Sequence, residues 1–325
     1  MPRQHSALTE TQQTLITDDL PRLIDDWLMD CQLRQHSPRT IQGRRDFLLK
    51  LLWFLKHRNE IEVGTPQIRS FMLYLSEGHK EPLGRWGNSK LTKPLKPVSI
   101  HDFYRVLRAF FNWLVEEEVL SDSLLRRIKA PVVRLEQKQP LTQAQVTALI
   151  QAAKRSTDSK RNESLLLLLL DTGLRASEVC SLKVEDVDFS TNSFKVVGKG
   201  NKPRLCYFGR STSKALGAYL RTRKAQQYEP LFAARGGGSL SANSLLQLTT
   251  RLSRAAGVPA SLCSPHALRR TFAVSLLRNG GNVFALQAML GHTDLQMTRR
   301  YVAIADADIE AQHRQFSPAD RLLSR

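Results

Sequence analysis

The chain has 325 residues, with 48 Lys and Arg against 30 Asp and Glu, a formal net charge of +18. That length suits about two domains, each large enough to bury its own core. The longest apolar run, Leu165 to Leu170, is far short of the ~20 residues that a membrane span needs.

The charge is unevenly placed. Residues 1–137 hold 21 Lys and Arg against 17 Asp and Glu, a net +4, whereas residues 138–325 hold 27 against 13, a net +14. Basic charge concentrated in this way is the footprint of a polyanion, most commonly nucleic acid. The cysteines Cys31, Cys180, Cys206 and Cys263 stand apart. Neither zinc-ligand spacing nor a disulfide framework is expected, which fits a reducing compartment. The polar start, Met1 to Ala7, has no apolar core, so no signal peptide is expected. The expected location is the cytoplasm.

The first ~18 residues read as loosely ordered. Leu20 to Leu33 has Leu20, Ile24, Trp27, Leu28 and Cys31 at helical spacing. Ser37-Pro38 then supplies a cap and a first-turn proline for a helix through Ile41 to His57. Thr65-Pro66 opens a third helix to about Glu77, and Ser99 caps a fourth, Ile100 to Glu118. No strand pattern occurs in this half, and residues 18–130 are expected to form an all-helical domain. Residues 78–98 interrupt it with three prolines and three glycines, which exclude a regular element. This loop is basic through Lys80, Arg85, Lys90, Lys93 and Lys96. It reads either as a solvated surface loop or as a segment lying along DNA phosphates.

Residues 131–140 read as a linker, with two prolines and alternating charge. The second domain, 141–325, is helical with one insertion. Asp188 to Asn192 reads as a turn, Ser193 to Val197 as a strand, Gly198 to Lys202 as a hairpin tip, and Arg204 to Phe208 as the returning strand. Helices are expected over Ser213–Arg223, Ser241–Ala256, Pro265–Arg278, Val283–Leu290 and Thr293–Tyr301.

Several residues in this half carry chemistry. Gly173 stops the helix that ends at about Asp171, and Arg175 follows near the start of the next helix. There it can face an anion that the helix N-terminus also favours, or pair with Glu178. Ser264-Pro265 reads as a cap, which puts His266 and Arg269 at i and i+3 on one helical face, with Arg270 pointing elsewhere. The planar fork of Arg269 suits two phosphate oxygens. The His266 imidazole can move a proton near neutral pH. Thr293 to Gln296 has capping-box spacing, so His292 sits in a turn at a helix N-terminus. Tyr301 lies eight residues past Thr293, ~12 Å along a helix, and can approach the same point from another side. Lys199 is at the hairpin tip, exposed or able to reach into a groove. No P-loop, dinucleotide fingerprint, zinc-protease motif or carboxylate cluster occurs, so neither cofactor nor metal is expected.

Two arginines, a lysine and two histidines are what a phosphodiester needs around it, and a tyrosine can attack it. In this order, with Thr172-Gly-Leu-Arg175, Gly198-Lys-Gly200, His266-Ala-Leu-Arg269, Gly291-His292 and Tyr301, they resemble the tyrosine recombinase (phage integrase) family over about Leu20 to Phe316. The likeness is to two-domain members of the Xer-like and transposon-integrase kind. It implies a mainly α fold in which a SAM-like helical core-binding domain and a mostly helical catalytic domain with a small β-hairpin close on DNA as a C-shaped clamp.

The resemblance also implies a mechanism. Tyr301 attacks the scissile phosphate and leaves a 3′-phosphotyrosyl link and a 5′-hydroxyl. Arg175 and Arg269 hold the non-bridging oxygens, Lys199 is the general acid, His266 the general base, and His292 a donor to the phosphate. Further DNA contacts are expected from Arg39, Arg44, Lys90, Lys93, Lys96, Lys202 and Arg204. The implied partners are double-stranded DNA with specific sites and a homo-tetramer, or one shared with a paralogous recombinase, and no membrane. The segment 306–325, with Ile309 and Phe316 as apolar anchors, would pack on a neighbouring subunit or on its own domain. Residues 78–98 are longer than in compact members, and no additional N-terminal domain for accessory sites is expected. A type IB topoisomerase, using similar residues to rejoin the same strand, is the alternative.

Overall fold

A computed structural model of the chain describes residues 14–79, 84–133, 138–198, 203–223, 226–234, 236–291, 295–305, 313 and 317–323. The fold is mainly α-helical with two small antiparallel sheets. It divides into two units, at 136/137.

The first unit holds β1 (Leu15–Ile16), α1 (Leu20–Leu33), α2 (Pro38–His57), β2 (Glu62–Val63), α3 (Thr65–Ser76) and α4 (Pro97–Glu116). Helix α1 buries Leu20, Leu23, Ile24, Trp27, Leu28 and Cys31. Ser37 caps α2 by accepting the Thr40 N–H at 3.2 Å, as its sequence leads one to expect. In α4 the proline rule applies earlier than read from Ser99. Pro97 takes the first helical position after Lys96, and the Lys96 carbonyl accepts from Ser99 and Ile100.

Over residues 14–18 the expectation of a strand-free, loosely ordered start needs correction, whereas residues 1–13 lie outside the described residues. Leu15 pairs with Val63 and Ile16 with Glu62 in a two-residue antiparallel ribbon. Thr17 adds a backbone bond to the Ile61 carbonyl and a hydroxyl bond to the Glu60 carbonyl. Leu15 and Val63 are both buried in the unit's core, so apolar burial rather than strand length holds the ribbon.

The loop between α3 and α4 is also more ordered than an irregular surface loop. Its Lys80 lies outside the described residues. Arg85 is only 2% exposed, contrary to its reading as part of a basic surface, and its Nη2 donates to the Lys93 carbonyl. Trp86 packs against Trp53, Tyr74, Phe71 and Phe103, with ring centroids 5.3–6.2 Å apart. With Arg85 turned inward, Lys90, Lys93 and Lys96 remain exposed.

The second unit runs through α5 (Gln143–Lys154), α6 (Ser159–Thr172), α7 (Ala176–Ser181), β3 (Val187–Asp188), β4 (Ser193–Val197), β5 (Pro203–Tyr207), α8 (Arg210–Arg223), α9 (Ala242–Ala255), α10 (Pro265–Arg278), α11 (Val283–Leu290), α12 (Leu295–Ala305) and α13 (Pro318–Leu323). Its sheet has the order β3-β4-β5, with Val187 opposite Phe194 and Phe194 opposite Cys206. The short β3 was not apparent in the sequence, and α8 begins three residues earlier than its pattern implied. Helix α6, carrying the Leu165–Leu170 run, packs among α5, α8 and α10. A smaller cluster of Phe272, Ala273, Leu286 and Leu290 joins α10 to α11, and Tyr301 of α12 packs against it. Among the described residues, no helix is long and apolar enough to cross a membrane.

Candidate active site

Helix α6 is closed by Gly173 in the left-handed region, φ 59° and ψ 26°. A Cβ here would run into the Phe272 ring and the Leu290 side chain, so both backbone geometry and packing select glycine. This turn brings Arg175 to the N-cap of α7. The Arg175 backbone N–H donates to Glu178 Oε2 and its Nη1 to Oε1, each at 2.8 Å. Its Nη2 reaches the Gly291 carbonyl at 3.2 Å. Of the alternatives in the sequence, facing an anion or pairing with Glu178, the structure shows the pairing, with Arg175 still 28% exposed.

Glu178 is 4% exposed and holds a second arginine. Arg204 of β5 donates from Nη1 and Nη2 to its two oxygens at 2.9 and 2.8 Å, and from Nε to the Met289 carbonyl at 3.0 Å. Burial alone would push the Glu178 carboxyl up. The hydrogen bonds from Arg204 and from Arg175 outweigh it and hold the carboxyl below its usual value. In place of the DNA contact expected of it, Arg204 is folded into the site as a strut. It contacts Gly291 closely, where a Cβ would meet its guanidinium at 3.1 Å.

Helix α10 starts as its sequence indicates, with Ser264 accepting the Ala267 N–H ahead of Pro265. Arg269 points inward and is 4% exposed. Its Nη1 donates to the Gly173 carbonyl at 2.6 Å and its Nη2 to the Leu290 carbonyl at 2.8 Å. Burial first, and then the Arg175 cation, push its guanidinium down to about 10, with Tyr301 and Glu178 acting in the opposite sense. Three arginines thus take three successive carbonyls at the end of α11: Arg204 at Met289, Arg269 at Leu290 and Arg175 at Gly291. Cations at a helix C-terminus satisfy its orphan carbonyls and its dipole together. The result fixes the backbone leading into His292.

Tyr301 is half-buried on α12 and packs against the cluster that joins α10 to α11. Arg270 points away from Arg269, its Nε donating to the Gln139 carbonyl at 3.2 Å, whereas Arg269 is buried on the carbonyls of Gly173 and Leu290. Neighbours on a helix diverge in direction. His266 is exposed on the first turn of α10. Lys199, Lys202 and His292, with the Thr293 cap, lie outside the described residues, as do Ile309 and Phe316. Lys199 falls between the ends of β4 and β5.

Of the other expected DNA contacts, Arg39 is exposed. Arg44 is turned inward, its Nη1 2.8 Å from Cys31 Sγ and 2.7 Å from His36 Nδ1, with its guanidinium over the Trp27 ring. Glu178 had no site role in the sequence beyond pairing with Arg175, although its place three residues after Arg175, in the first turn of α7, was an available signal. Among the described residues, no three His, Cys, Asp or Glu side chains gather to hold a metal ion.

The phage integrase family model matches residues 139–308, which includes all of the arginine cluster and Tyr301. The chain belongs to the phage integrase family. It is a tyrosine recombinase and its partner is DNA. The recombinase is 31% identical over 286 residues to tyrosine recombinase XerC of Corynebacterium efficiens, covering 87% of this chain and 86% of that one. It is 27% identical over 270 residues to tyrosine recombinase XerD of Haemophilus ducreyi, covering 81% and 91%. In fold it is similar to the Tn1549 transposon integrase solved in complex with a circular intermediate DNA, with a TM-score of 0.70 at 20% identity, covering 90% of this chain and 99% of that chain. It is also similar to XerH recombinase bound to a palindromic difH substrate, with a TM-score of 0.67 at 18% identity, covering 91% and 84%. The topoisomerase alternative is not favoured by these relatives, which are recombinases and an integrase.

Proposed function

We propose that this recombinase cleaves and rejoins specific DNA sites through a phosphotyrosyl link on Tyr301, for the integration, excision or resolution of a DNA element. The observation that carries this reading is the convergence of Arg175 and Arg269 on the α11 terminus, with Tyr301 packed against the α10–α11 cluster beside it.

The Tyr301 oxygen forms a bond to the scissile phosphorus, and the bond from phosphorus to the 5′-oxygen breaks. His266 takes the phenol proton, and Lys199 gives one to the leaving 5′-oxygen. Arg175 and Arg269, with His292, stabilise the charge on the non-bridging oxygens. Each guanidinium has five N–H groups in a planar fork, a geometry that suits two phosphate oxygens. Attack by a 5′-hydroxyl from another strand reverses the step. One phosphoester replaces another throughout, so strand exchange needs no external energy source, cofactor or metal.

In this reading residues 18–130 form the core-binding domain, 131–140 the linker and 141–325 the catalytic domain. Both domains bind the duplex, and Arg39, Lys90, Lys93, Lys96 and Lys202 contact DNA. The active form is a tetramer on two sites, acting in the cytoplasm, with the segment 306–325 exchanged between subunits. The test is reaction on two duplexes carrying the DNA that flanks the gene. Products with exchanged flanks support the proposal; rejoining only of the original strands contradicts it.

A further inference from the structure

Arg85 has no part in the chemistry outlined above, and its place in the fold is a costly one for a cation. It lies in the loop between α3 and α4 and is 2% exposed. Its Nη2 donates to the Lys93 carbonyl. Among the described residues its Nε has no hydrogen-bond partner and no carboxylate pairs with it. A buried charge is costly unless it is paired, and one bond to a carbonyl could be made as well by a neutral donor. The backbone beside it is strained. Trp86 has φ 60°, between Gly84 and Gly87 at 58° and 69°, and a left-handed backbone is an outlier for a bulky side chain. The turn is held by the Arg85 N–H on the Leu91 carbonyl and the Leu91 N–H on the Asn88 carbonyl, each at 2.9 Å, and by the Trp86 ring against Trp53 and Tyr74. Strain of this kind gathers at ligand clamps and switch segments. Around the buried cation, Lys90, Lys93 and Lys96 stay exposed. What Arg85 lacks is an anion, and the lysines that surround it are suited to bringing one.

We propose that Arg85 is a latent phosphate ligand: when Lys90, Lys93 and Lys96 settle on the DNA backbone, the 84–91 turn opens and Arg85 exchanges the Lys93 carbonyl for a DNA phosphate. The inference rests on this loop contacting DNA. Opening releases the left-handed backbone of Trp86 and gives the guanidinium the counter-charge that the free protein does not provide. A planar guanidinium on a phosphate makes charge-assisted hydrogen bonds, which are stronger than its bond to a neutral carbonyl. The contact is to the backbone, so it strengthens binding to any duplex and carries no sequence information. Because the cation is stored out of reach, the contact forms only where the lysines have already placed the loop on DNA.

The experiment compares full-length wild type, R85M, R85K and the combined variant K90A/K93A/K96A on a duplex taken from the flanking DNA. Mobility shifts over a range of salt give the slope of log K against log salt. Thermal melts without DNA give stability, and hydrogen exchange followed by mass spectrometry reads the 84–91 amides with and without DNA. R85M keeps the reach of the side chain and loses its charge. It is expected to melt at or above wild type, because the cost of burying the charge is gone, while its slope falls by about 0.9, the share of one phosphate contact. R85K is expected to keep the wild-type slope. In wild type the Arg85 and Leu91 amides should exchange faster on DNA than off it, the reverse of the protection given by a loop that lies on DNA unchanged. An R85M slope equal to wild type overturns the proposal, as does an R85M that melts lower and loses binding only in step with folded protein. If R85M does not fold, exchange in wild type decides: faster exchange on DNA supports the proposal, and unchanged or slower exchange overturns it. An unchanged slope in K90A/K93A/K96A refutes the contact of the loop with DNA and the inference with it. A lowered slope there, beside an unchanged one in R85M, leaves the loop on DNA and removes Arg85 from the contact.

Discussion

Replacing Glu178 by Gln removes the carboxylate that Arg175 and Arg204 share. Gln keeps one acceptor oxygen but turns an amide toward guanidinium groups that are themselves only donors. Both arginines are then left without a counter-charge, at 28% and 13% side-chain exposure. Stranding one partner of a buried ion pair costs about 3–5 kcal/mol. Arg175 is partly hydrated, which places the expected loss near 3–4 kcal/mol. For a unit the size of residues 137–325 that corresponds to a fall in melting temperature of about 6–16 °C. The acid limb gives an independent check. The Glu178 carboxyl is held below its usual value when folded, so its ionised form adds stability that is complete above the unfolded carboxyl's value near 4.3. That stability is lost as the pH falls through the lower folded value. Thermal melts of wild type and E178Q between about pH 7 and pH 3 should show a gap that is full at neutral pH and narrows in acid. A neutral-pH difference below about 1 kcal/mol, or a gap that stays constant in acid, would refute the view that Glu178 clamps this site.

Gly173→Ala should cost about 2–5 kcal/mol, combining left-handed backbone strain with overpacking against Phe272 and Leu290. Denaturant melts would measure this, and a loss below about 1 kcal/mol would show that the turn has room for a Cβ. Combined replacement of Lys90, Lys93 and Lys96 by Ala should weaken binding of any duplex and lower the slope of log K against log salt by up to about 2.7, at ~0.9 per phosphate contact. An unchanged slope would assign the loop to bulk solvent. Lys199→Ala should slow cleavage and be rescued by a substrate with a 5′-thiol-type leaving group, which needs no general acid; failure of the rescue removes that role from Lys199.

The helices were most legible where caps and stops are written locally. Ser264-Pro265 marked the start of α10 and Gly173 the end of α6, because cap chemistry depends on residues within one turn. The β1–β2 ribbon was not legible: two-residue strands carry no period, and their partners lie more than forty positions apart. Arg85 misled for a different reason. Its charge and its glycine- and proline-rich surroundings indicate a surface, whereas Trp86 carries the chain into the aromatic core and takes Arg85 with it. At the site, residue types were readable but allegiances were not. Arg204 resembles a basic residue of a DNA-facing hairpin until the fold brings Glu178 and the Met289 carbonyl to it. Long-range pairings of this kind, between β5, α7 and α11, depend on how helices pack and leave no mark on local spacing. They also show how the arginines are held before DNA arrives: docked on the end of α11 and oriented by it.

The central claim, that Tyr301 becomes covalently joined to DNA, is tested most directly by trapping on a nicked suicide duplex from the flanking DNA, in chelator and without ATP. Wild type is predicted to give a protein–DNA adduct, linked through a 3′-phosphate, and Tyr301→Phe to bind the same duplex and give none. An adduct that survives the substitution, or none from wild type on DNA that it binds, would contradict the account.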